Sequence, residues 1–214
     1  MQSPRQIVVC FAVKEEARFF NPDPGSNGGI QTLVTGMGPR NAENGIRRLL
    51  AVEHPGLVLS CGFAGGLRPG LERGSIVFAV DSETNLHSSL LASGAIPAQF
   101  HCADQVATTA GQKRALRQST GADVVEMESG IICKACRSQY IPSGTIRVIL
   151  DTAEEDLTLD FNKLMTKDQR MDYSKLAMSL VKSPWKIPAL LRLQKQSASA
   201  AQKLATVLNR VLIK

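Results

Sequence analysis

The sequence Val124-Val125-Glu126-Met127-Glu128-Ser129 joins a short apolar segment to an amphipathic one. Residues 122–125 are apolar and partly β-branched, which predicts a strand. Residues 129–140 place apolar side chains on one face, which predicts a helix. Glu126 and Glu128 therefore stand at the carboxyl end of a strand, where ligands bind in open α/β sheets. The alternative interpretation of these two acids involves no ligand. Both would be solvated and lie in the first helical turn, where the helix dipole favours a negative charge.

Other short apolar runs alternate with segments of helical pattern along the chain. The predicted strands are residues 7–13, 30–34, 57–61, 74–80 and 145–150. Helices are predicted to begin at Lys14 and Pro39, and residues 112–119 are predicted to form a surface helix. Residues 81–102 indicate only short strands and loop. Strands that alternate with helices predict an α/β fold, with a mostly parallel sheet covered on both faces.

Two further acids follow predicted strands directly. Glu16 comes just after the strand of residues 7–13, and Asp151 comes just after the strand of residues 145–150. Because the carboxyl ends of parallel strands meet at one edge of a sheet, both acids are candidates for the same site as Glu128.

Glycine turns follow two other strands. Gly36 and Gly38 precede a predicted helix start, and a strand, glycine turn and helix N-terminus together favour an anion. The spacing fits neither a P-loop nor a dinucleotide fingerprint. Residues 62–66 form a second turn, in which Phe63 is the one large side chain, so a flat ligand can lie against the backbone there.

Composition predicts a single soluble domain spanning residues 1–214, since 43% of residues are hydrophobic and 21% are charged. No apolar run reaches the ~18 residues of a membrane span, and the start does not resemble a signal peptide, so a cytoplasmic location is expected. Five cysteines suggest no disulfide framework. Cys133 and Cys136 fall inside a predicted helix without a second pair, so buried thiols rather than a metal site are expected.

The last part of the chain is basic. Residues 162–214 carry 11 basic and 2 acidic side chains, whereas the preceding residues have a slight acidic excess. Such a segment is attracted to anionic membrane surfaces or nucleic acids, although a solvated helix face explains it equally well. Residues 172–181 predict a helix, and leucines at helical spacing follow from Leu190. A helix docked on the sheet is expected there, with a lipid-facing role of residues 185–192 as the alternative.

Five stretches together resemble the purine nucleoside phosphorylase and nucleosidase superfamily. They stand in the order of that family and cover roughly residues 6–156, and the likeness is nearest to the hydrolytic branch with the methylthioadenosine/S-adenosylhomocysteine nucleosidases. The tail and a shortened middle region are similar to the hopanoid-associated branch, whose members are proposed to release adenine from adenosylhopane. The stretches are Ala12–Glu16, Thr35–Gly38, Gly62–Leu67 with Gly74–Val77, Val125–Glu128 and Arg147–Asp151.

The resemblance implies a three-layer α/β/α fold with a mixed, mostly parallel sheet. It also implies cleavage of the N-glycosidic bond of an adenine nucleoside without cofactor or metal, by a chain that forms homo-oligomers such as dimers. In this resemblance Asp151 protonates the purine, Glu128 holds the ribose hydroxyls and Glu16 activates water. Such a reaction needs stabilisation of a cationic sugar and protonation of the leaving base. Arg147 matches a partner of the Glu16 carboxylate. The residues assigned to substrate binding are Met127, Glu126, Arg147, Gly62, Phe63, Gly36 and Gly38.

The chain departs from the family pattern at Phe63 and Leu150, where related nucleosidases have serine or another small residue. Both changes make the pocket more apolar, which suits a lipid-linked nucleoside but is also compatible with an inactive nucleoside-binding relative. Related phosphorylases carry a Gly-Asp-Pro-x-Arg loop where this chain has Lys14-Glu15-Glu16, and a carboxylate there repels phosphate. Hydrolysis is therefore favoured over phosphorolysis. Nucleic-acid binding is not expected, because the tail has no binding motif.

Overall fold

The computed structural model describes residues 6–22, 29–157, 159–164, 166, 185 and 187–213. The strands within these ranges are β1 (Ile7–Phe11), β2 (Ile30–Val34), β3 (Leu57–Gly66), β4 (Ile76–Val80), β5 (Ile96–Pro97), β6 (Phe100–Cys102), β7 (Val124–Glu126) and β8 (Ser143–Asp151). The helices are α1 (Lys14–Ala17), α2 (Pro39–Leu50), α3 (His87–Ala92), α4 (Ala110–Thr120), α5 (Ser129–Arg137), α6 (Phe161–Leu164) and α7 (Ile187–Leu212), with a 3-10 turn at Ser82–Thr84.

All of these strands join one sheet in the order β2-β1-β3-β8-β4-β5. Strand β7 pairs with the end of β3, and β6 pairs with β7. The neighbours β2, β1, β3 and β8 are parallel, whereas β4 is antiparallel to β8 and β7 is antiparallel to β3. The predicted mixed, mostly parallel sheet is confirmed.

Helices cover both faces of the sheet. On one face α2 and α5 pack their apolar side chains, such as Ile46 and Ile132, against Val58 of β3. On the other face α7 packs residues such as Leu204 against Phe78 of β4. The central strands are buried on both sides, which is why they appear in the sequence as continuous apolar runs rather than alternating ones. The three-layer arrangement expected from the sequence is confirmed.

Two local predictions are wrong. The third strand was expected to end at Cys61, but β3 continues through the glycine stretch to Gly66. The glycines remain in the sheet because β8 runs beside them: Gly62 pairs with Arg147, and Gly65 pairs with Asp151 after a register shift. Residues 81–102 contain the helix α3 in addition to short strands.

The described part of the basic segment docks on the sheet. Helix α7 buries Ala201, Leu204 and Leu208 completely, and this confirms the docked helix predicted from the leucine spacing. The predicted helix of residues 172–181 lies outside the described residues. Within the ranges that the structure describes, no helix has the length and hydropathy of a membrane span.

Candidate active site

A cavity of about 220 Å³ opens where β1, β3, β7 and β8 end. Four side chains that line it are acidic: Glu16, Glu126, Glu128 and Asp151. Among the described residues that line the cavity, none is basic. A negative cavity of this kind stabilises a developing cation and disfavours an anionic ligand.

Glu16 lies in α1, directly after β1, and only 5% of its surface is exposed. Its Oε2 accepts hydrogen bonds from the backbone N–H groups of Ala12 and Val13 at 2.8 and 3.2 Å, and Oε1 accepts one from Phe63 at 2.8 Å. Burial raises the pKa of Glu16, and the nearby Arg147 guanidinium and the three N–H groups oppose that rise. A buried carboxylate with a raised pKa is a suitable proton acceptor near neutral pH.

Gly62 makes room for this carboxylate. A Cβ atom at that position would overlap Glu16 Oε1 and would lie 2.6 Å from Arg147 Nη1. The backbone of Gly62 also has a φ of +149°, which side chains rarely allow. Glycine is therefore required here by the close approach of two charged groups.

Arg147 of β8 is 1% exposed and lies behind the acidic wall of the cavity. Its Nη2 forms a 2.6 Å salt bridge to Glu126 Oε2, a 3.4 Å contact with Glu128 Oε2 and a 3.0 Å hydrogen bond to Ser60 Oγ. Burial alone would lower the pKa of Arg147, but the neighbouring carboxylates outweigh burial and raise this pKa above its ordinary value. Glu16 also interacts electrostatically with Arg147. The positive charge of Arg147 therefore partly compensates three carboxylates, those of Glu126, Glu128 and Glu16.

Glu126 is a structural acid at the start of α5. Its Oε2 accepts hydrogen bonds from the N–H groups of Glu128 and Ser129 at 2.9 and 2.7 Å, and its Oε1 accepts one from Ser129 Oγ at 2.8 Å. Together with the Arg147 salt bridge, these bonds engage both carboxylate oxygens. Glu126 therefore fixes the junction of β7 and α5, and its part in substrate binding stays a prediction.

Glu128 is the acid of this stretch that faces the cavity with a weaker set of partners. Its Oε1 accepts a 2.8 Å hydrogen bond from the backbone N–H of Gly38. Gly38 precedes α2 directly and has a φ of +81°. Burial raises the pKa of Glu128 to about 7, with further increases from Glu126 and Glu16 and an opposing effect of Arg147. Glu128 therefore changes its charge near neutral pH.

Asp151 ends β8 on the far side of the cavity and forms a salt bridge that the sequence did not predict. Its Oδ2 lies 2.5 Å from Nζ of Lys113, a residue of α4 that is completely buried. Burial raises the pKa of Asp151, and Lys113 opposes that rise. Gly65 leaves the space beside this acid, because a Cβ there would lie 3.1 Å from Asp151 Oδ2.

The rest of the cavity wall is mainly apolar. Phe63, Met127 and Leu150 lie on it, and α7 contributes Leu193. Phe63 also packs against the main hydrophobic core, so its ring is shared between the core and the cavity. A ligand with an apolar part fits such a wall.

Most of the predicted site residues meet at this cavity. Glu16, Phe63, Glu126, Met127, Glu128 and Asp151 line it. Arg147, Gly62, Gly36 and Gly38 are not among its lining residues, and their part in substrate binding stays a prediction. Arg147 and Gly62 lie behind Glu16, Gly38 holds Glu128, and Gly36 packs closely on Asn41 in the turn before α2.

The sequence did not predict some residues that line the cavity, nor the residue that pairs with Asp151. Lys113 was predicted to lie on a surface helix, and α4 is present, but this lysine is fully buried. Leu193, Leu157 and Met37 line the cavity from loops and from α7. The chain pattern around these residues carries no signal of a site, because their position depends on contacts between distant parts of the chain.

No group of His, Cys, Asp or Glu side chains in the described ranges is arranged to hold a metal ion. Cys133 and Cys136 are free thiols, and Cys136 is buried in α5.

Comparisons with known proteins agree with this fold. Residues 98–182 match a family model described as the phosphorylase superfamily. A 5′-methylthioadenosine/S-adenosylhomocysteine nucleosidase of Glaesserella parasuis is 26% identical over 77% of this chain and 84% of its own length.

Solved structures share the fold over nearly the whole chain. A futalosine hydrolase of Helicobacter pylori superposes with a TM-score of 0.69 at 16% identity, covering 99% of this chain and 98% of that one. A 5′-methylthioadenosine/S-adenosylhomocysteine nucleosidase of S. pneumoniae, solved with a transition-state inhibitor, gives a TM-score of 0.68 at 14% identity, covering 97% and 98%. Residues 98–182 thus match the phosphorylase superfamily model, and the chain is similar to nucleosidases that share its fold.

Proposed function

We propose that this protein is a nucleosidase that hydrolyses the N-glycosidic bond of an adenine nucleoside and releases adenine. The observation that carries the proposal is the placement of Glu16, Glu128 and Asp151 around one cavity that has no basic residue among its described lining. Cleavage passes through a cationic sugar, which such a cavity stabilises. The relative from Glaesserella parasuis, named as a nucleosidase, supports the same chemistry.

Each acid has a separate role in the proposed reaction. Water attacks the anomeric carbon of the sugar as the bond to the purine breaks, and Glu16 takes the proton that the water loses. Asp151 gives a proton to N7 of the leaving purine, and Glu128 binds the ribose hydroxyls beside the cation. Burial supports these roles, because it raises the pKa of all three carboxyl groups. Met127, on the cavity wall, contacts the sugar.

Attack by water rather than phosphate is favoured by charge. A phosphate ion in this cavity would meet Glu16 and Glu128, while Arg147 is already engaged with carboxylates behind the wall. We therefore expect adenine release that does not require phosphate.

The apolar wall supports a substrate with an apolar 5′ substituent, such as an adenosylated hopanoid at a membrane surface. Leu193 brings α7 to the cavity, and the same end of the helix exposes Ile187 and Leu191, preceded by the exposed Trp185. Aromatic and aliphatic side chains next to basic ones are typical of segments that lie in a membrane interface.

The catalytic roles are tested with three isosteric variants: Glu16→Gln, Glu128→Gln and Asp151→Asn. We expect each to lower the rate of adenine release by about 10²-fold or more, the effect of losing an acid or base. Glu15→Gln is the matched control, since Glu15 neighbours Glu16 but is exposed. Equal rates in all four variants would refute the assigned roles.

The substrate is tested by comparing adenine release from methylthioadenosine, S-adenosylhomocysteine, adenosine and an adenosylated hopanoid in detergent. We expect the hopanoid to have the highest kcat/KM. A preference for the small nucleosides would refute the lipid-linked substrate and leave the nucleosidase activity intact.

The second candidate function is nucleoside binding without turnover. The salt bridge from Lys113 to Asp151 supports it, because an ionised Asp151 cannot donate a proton. Calorimetric binding of adenosine together with the absence of adenine release would establish this alternative.

A further inference from the structure

Lys113 has an environment that is rare for a lysine. It is completely buried in α4, and its Nζ has three acceptors: Asp151 Oδ2 at 2.5 Å, Thr152 O at 2.6 Å and Glu155 O at 2.7 Å. An ammonium group has three N–H donors, so this set uses all of them. Burying a lysine is costly unless it is paired and hydrogen-bonded, and here both conditions are met.

The same lysine joins α4 to the loop that follows β8. Asp156 of that loop accepts a 2.7 Å hydrogen bond from the N–H of Ala110, at the first turn of α4. Arg73 also holds the loop, through a 2.6 Å salt bridge to Glu155. The loop is thus held at several points, and among these contacts of described residues the one from Lys113 reaches Asp151 directly.

We propose that Lys113 is a positioning residue for the reaction: it holds Asp151 through Oδ2, keeps its carboxyl group at the cavity and leaves Oδ1 for the purine. This inference rests on the proposed function, in which Asp151 is the acid. Lys113 itself does not reach the purine, because its three donors are occupied by protein acceptors.

The charge of Lys113 also sets the pH range in which Asp151 holds its proton. Burial raises the pKa of Asp151, Glu155 raises it further, and Lys113 and Arg73 lower it. Glu16 and Glu128 share the cavity but are present in every variant considered below. Without Lys113, the pKa of Asp151 rises and the carboxyl group stays protonated to a higher pH.

The test compares Lys113→Met with Lys113→Arg and with the matched control Arg73→Met. The control cuts a tie to the same loop without removing the direct partner of Asp151. We expect Lys113→Met to move the alkaline limb of the profile of kcat against pH upward by about one unit or more, the effect of losing an adjacent opposite charge. Lys113→Arg should restore much of the wild-type profile, and Arg73→Met should move it less.

A second readout does not depend on turnover. Titration of the Asp151 carboxyl carbon by NMR, assigned through Asp151→Asn, should give a higher pKa in Lys113→Met than in wild type. If Lys113→Met does not fold, Lys113→Gln keeps hydrogen-bonding capacity without the charge and should give the same upward shift. An unchanged carboxyl titration in the folded variant would overturn the proposal.

The pH profile and the carboxyl titration together distinguish a failure of the proposed nucleosidase activity from a failure of the positioning role of Lys113. If the wild-type protein releases no adenine, the proposed function fails, while the carboxyl titration still decides whether Lys113 controls Asp151. If the wild type is active and both pH profiles coincide, the nucleosidase stands and the positioning role is overturned.

Discussion

Glu128 is a carboxylate that folding removes from water, with 9% of its side chain exposed. Replacing it by glutamine keeps the shape of the side chain and an oxygen for the N–H of Gly38, and removes the charge. The variant Glu128→Gln is therefore expected to lose the pH-dependent cost of ionising this buried group. We expect a protein that is more stable at alkaline pH and inactive.

The magnitude follows from the raised pKa. Burial raises the pKa of Glu128 from the ordinary value of 4.5 to about 7. Because the folded protein holds this proton more tightly than the unfolded chain, stability falls as pH rises from about 4.5 to about 7. The fall corresponds to about 3 kcal/mol at 1.36 kcal/mol per pKa unit. Glutamine does not titrate, so the variant lacks this fall.

The assay is urea unfolding followed by circular dichroism between about pH 4.5 and about pH 8, the range over which Glu128 titrates. The difference in unfolding free energy between variant and wild type should grow by about 3 kcal/mol across this range in favour of the variant. Glu16 is present in both proteins, so its titration largely cancels. Glu43→Gln, at an exposed carboxylate paired with Arg47, is the control for the loss of one carboxylate at the surface. If the curves of unfolding free energy against pH run parallel for Glu128→Gln and the wild type, the reasoning is refuted.

The other predictions concern the packing around the site and are checked by the same unfolding assay. Arg147→Met should lower the unfolding free energy by about 3–5 kcal/mol, because it leaves buried carboxylates without their cation, and a loss below about 1 kcal/mol would contradict that pairing. Gly62→Ala should cost about 1–3 kcal/mol, because the added methyl group overlaps charged side chains. Leu204→Ala in α7 should cost about 2–5 kcal/mol. Leu191→Ala, at an exposed position of the same helix, should change stability by less than about 0.5 kcal/mol, and equal losses would argue against the docking of α7.

The positions of two acids of the site could be predicted from the sequence, because they follow from local pattern and one topological rule. Glu16 and Asp151 each follow an apolar run, and parallel strands bring such positions to the same edge of a sheet. That reasoning needs no knowledge of how distant side chains pack. The assignment of Arg147 came instead from resemblance, which matched it to a partner of the Glu16 carboxylate. The structure places Arg147 behind the cavity, close enough to Glu16 for an electrostatic interaction.

Other features could not be predicted, because they depend on contacts between distant parts of the chain. Lys113 lies 39 positions from Thr152, whose carbonyl oxygen it meets, and its neighbours in α4 are mostly polar, as on any surface helix. The glycines from Gly62 onward predict a turn by local preference, yet pairing with β8 keeps them in the sheet. Tertiary contacts override local propensity in both cases.

The most direct measurement is adenine release from an adenine nucleoside, followed by chromatography, for the full chain in phosphate-free buffer and again with phosphate. The nucleosidase proposal predicts release at the same rate in both, and a loss of about 10²-fold or more in Asp151→Asn with its melting temperature retained. Release that requires phosphate would contradict the role of Glu16 and make the protein a phosphorylase. Binding of the nucleoside without any release would contradict catalysis altogether.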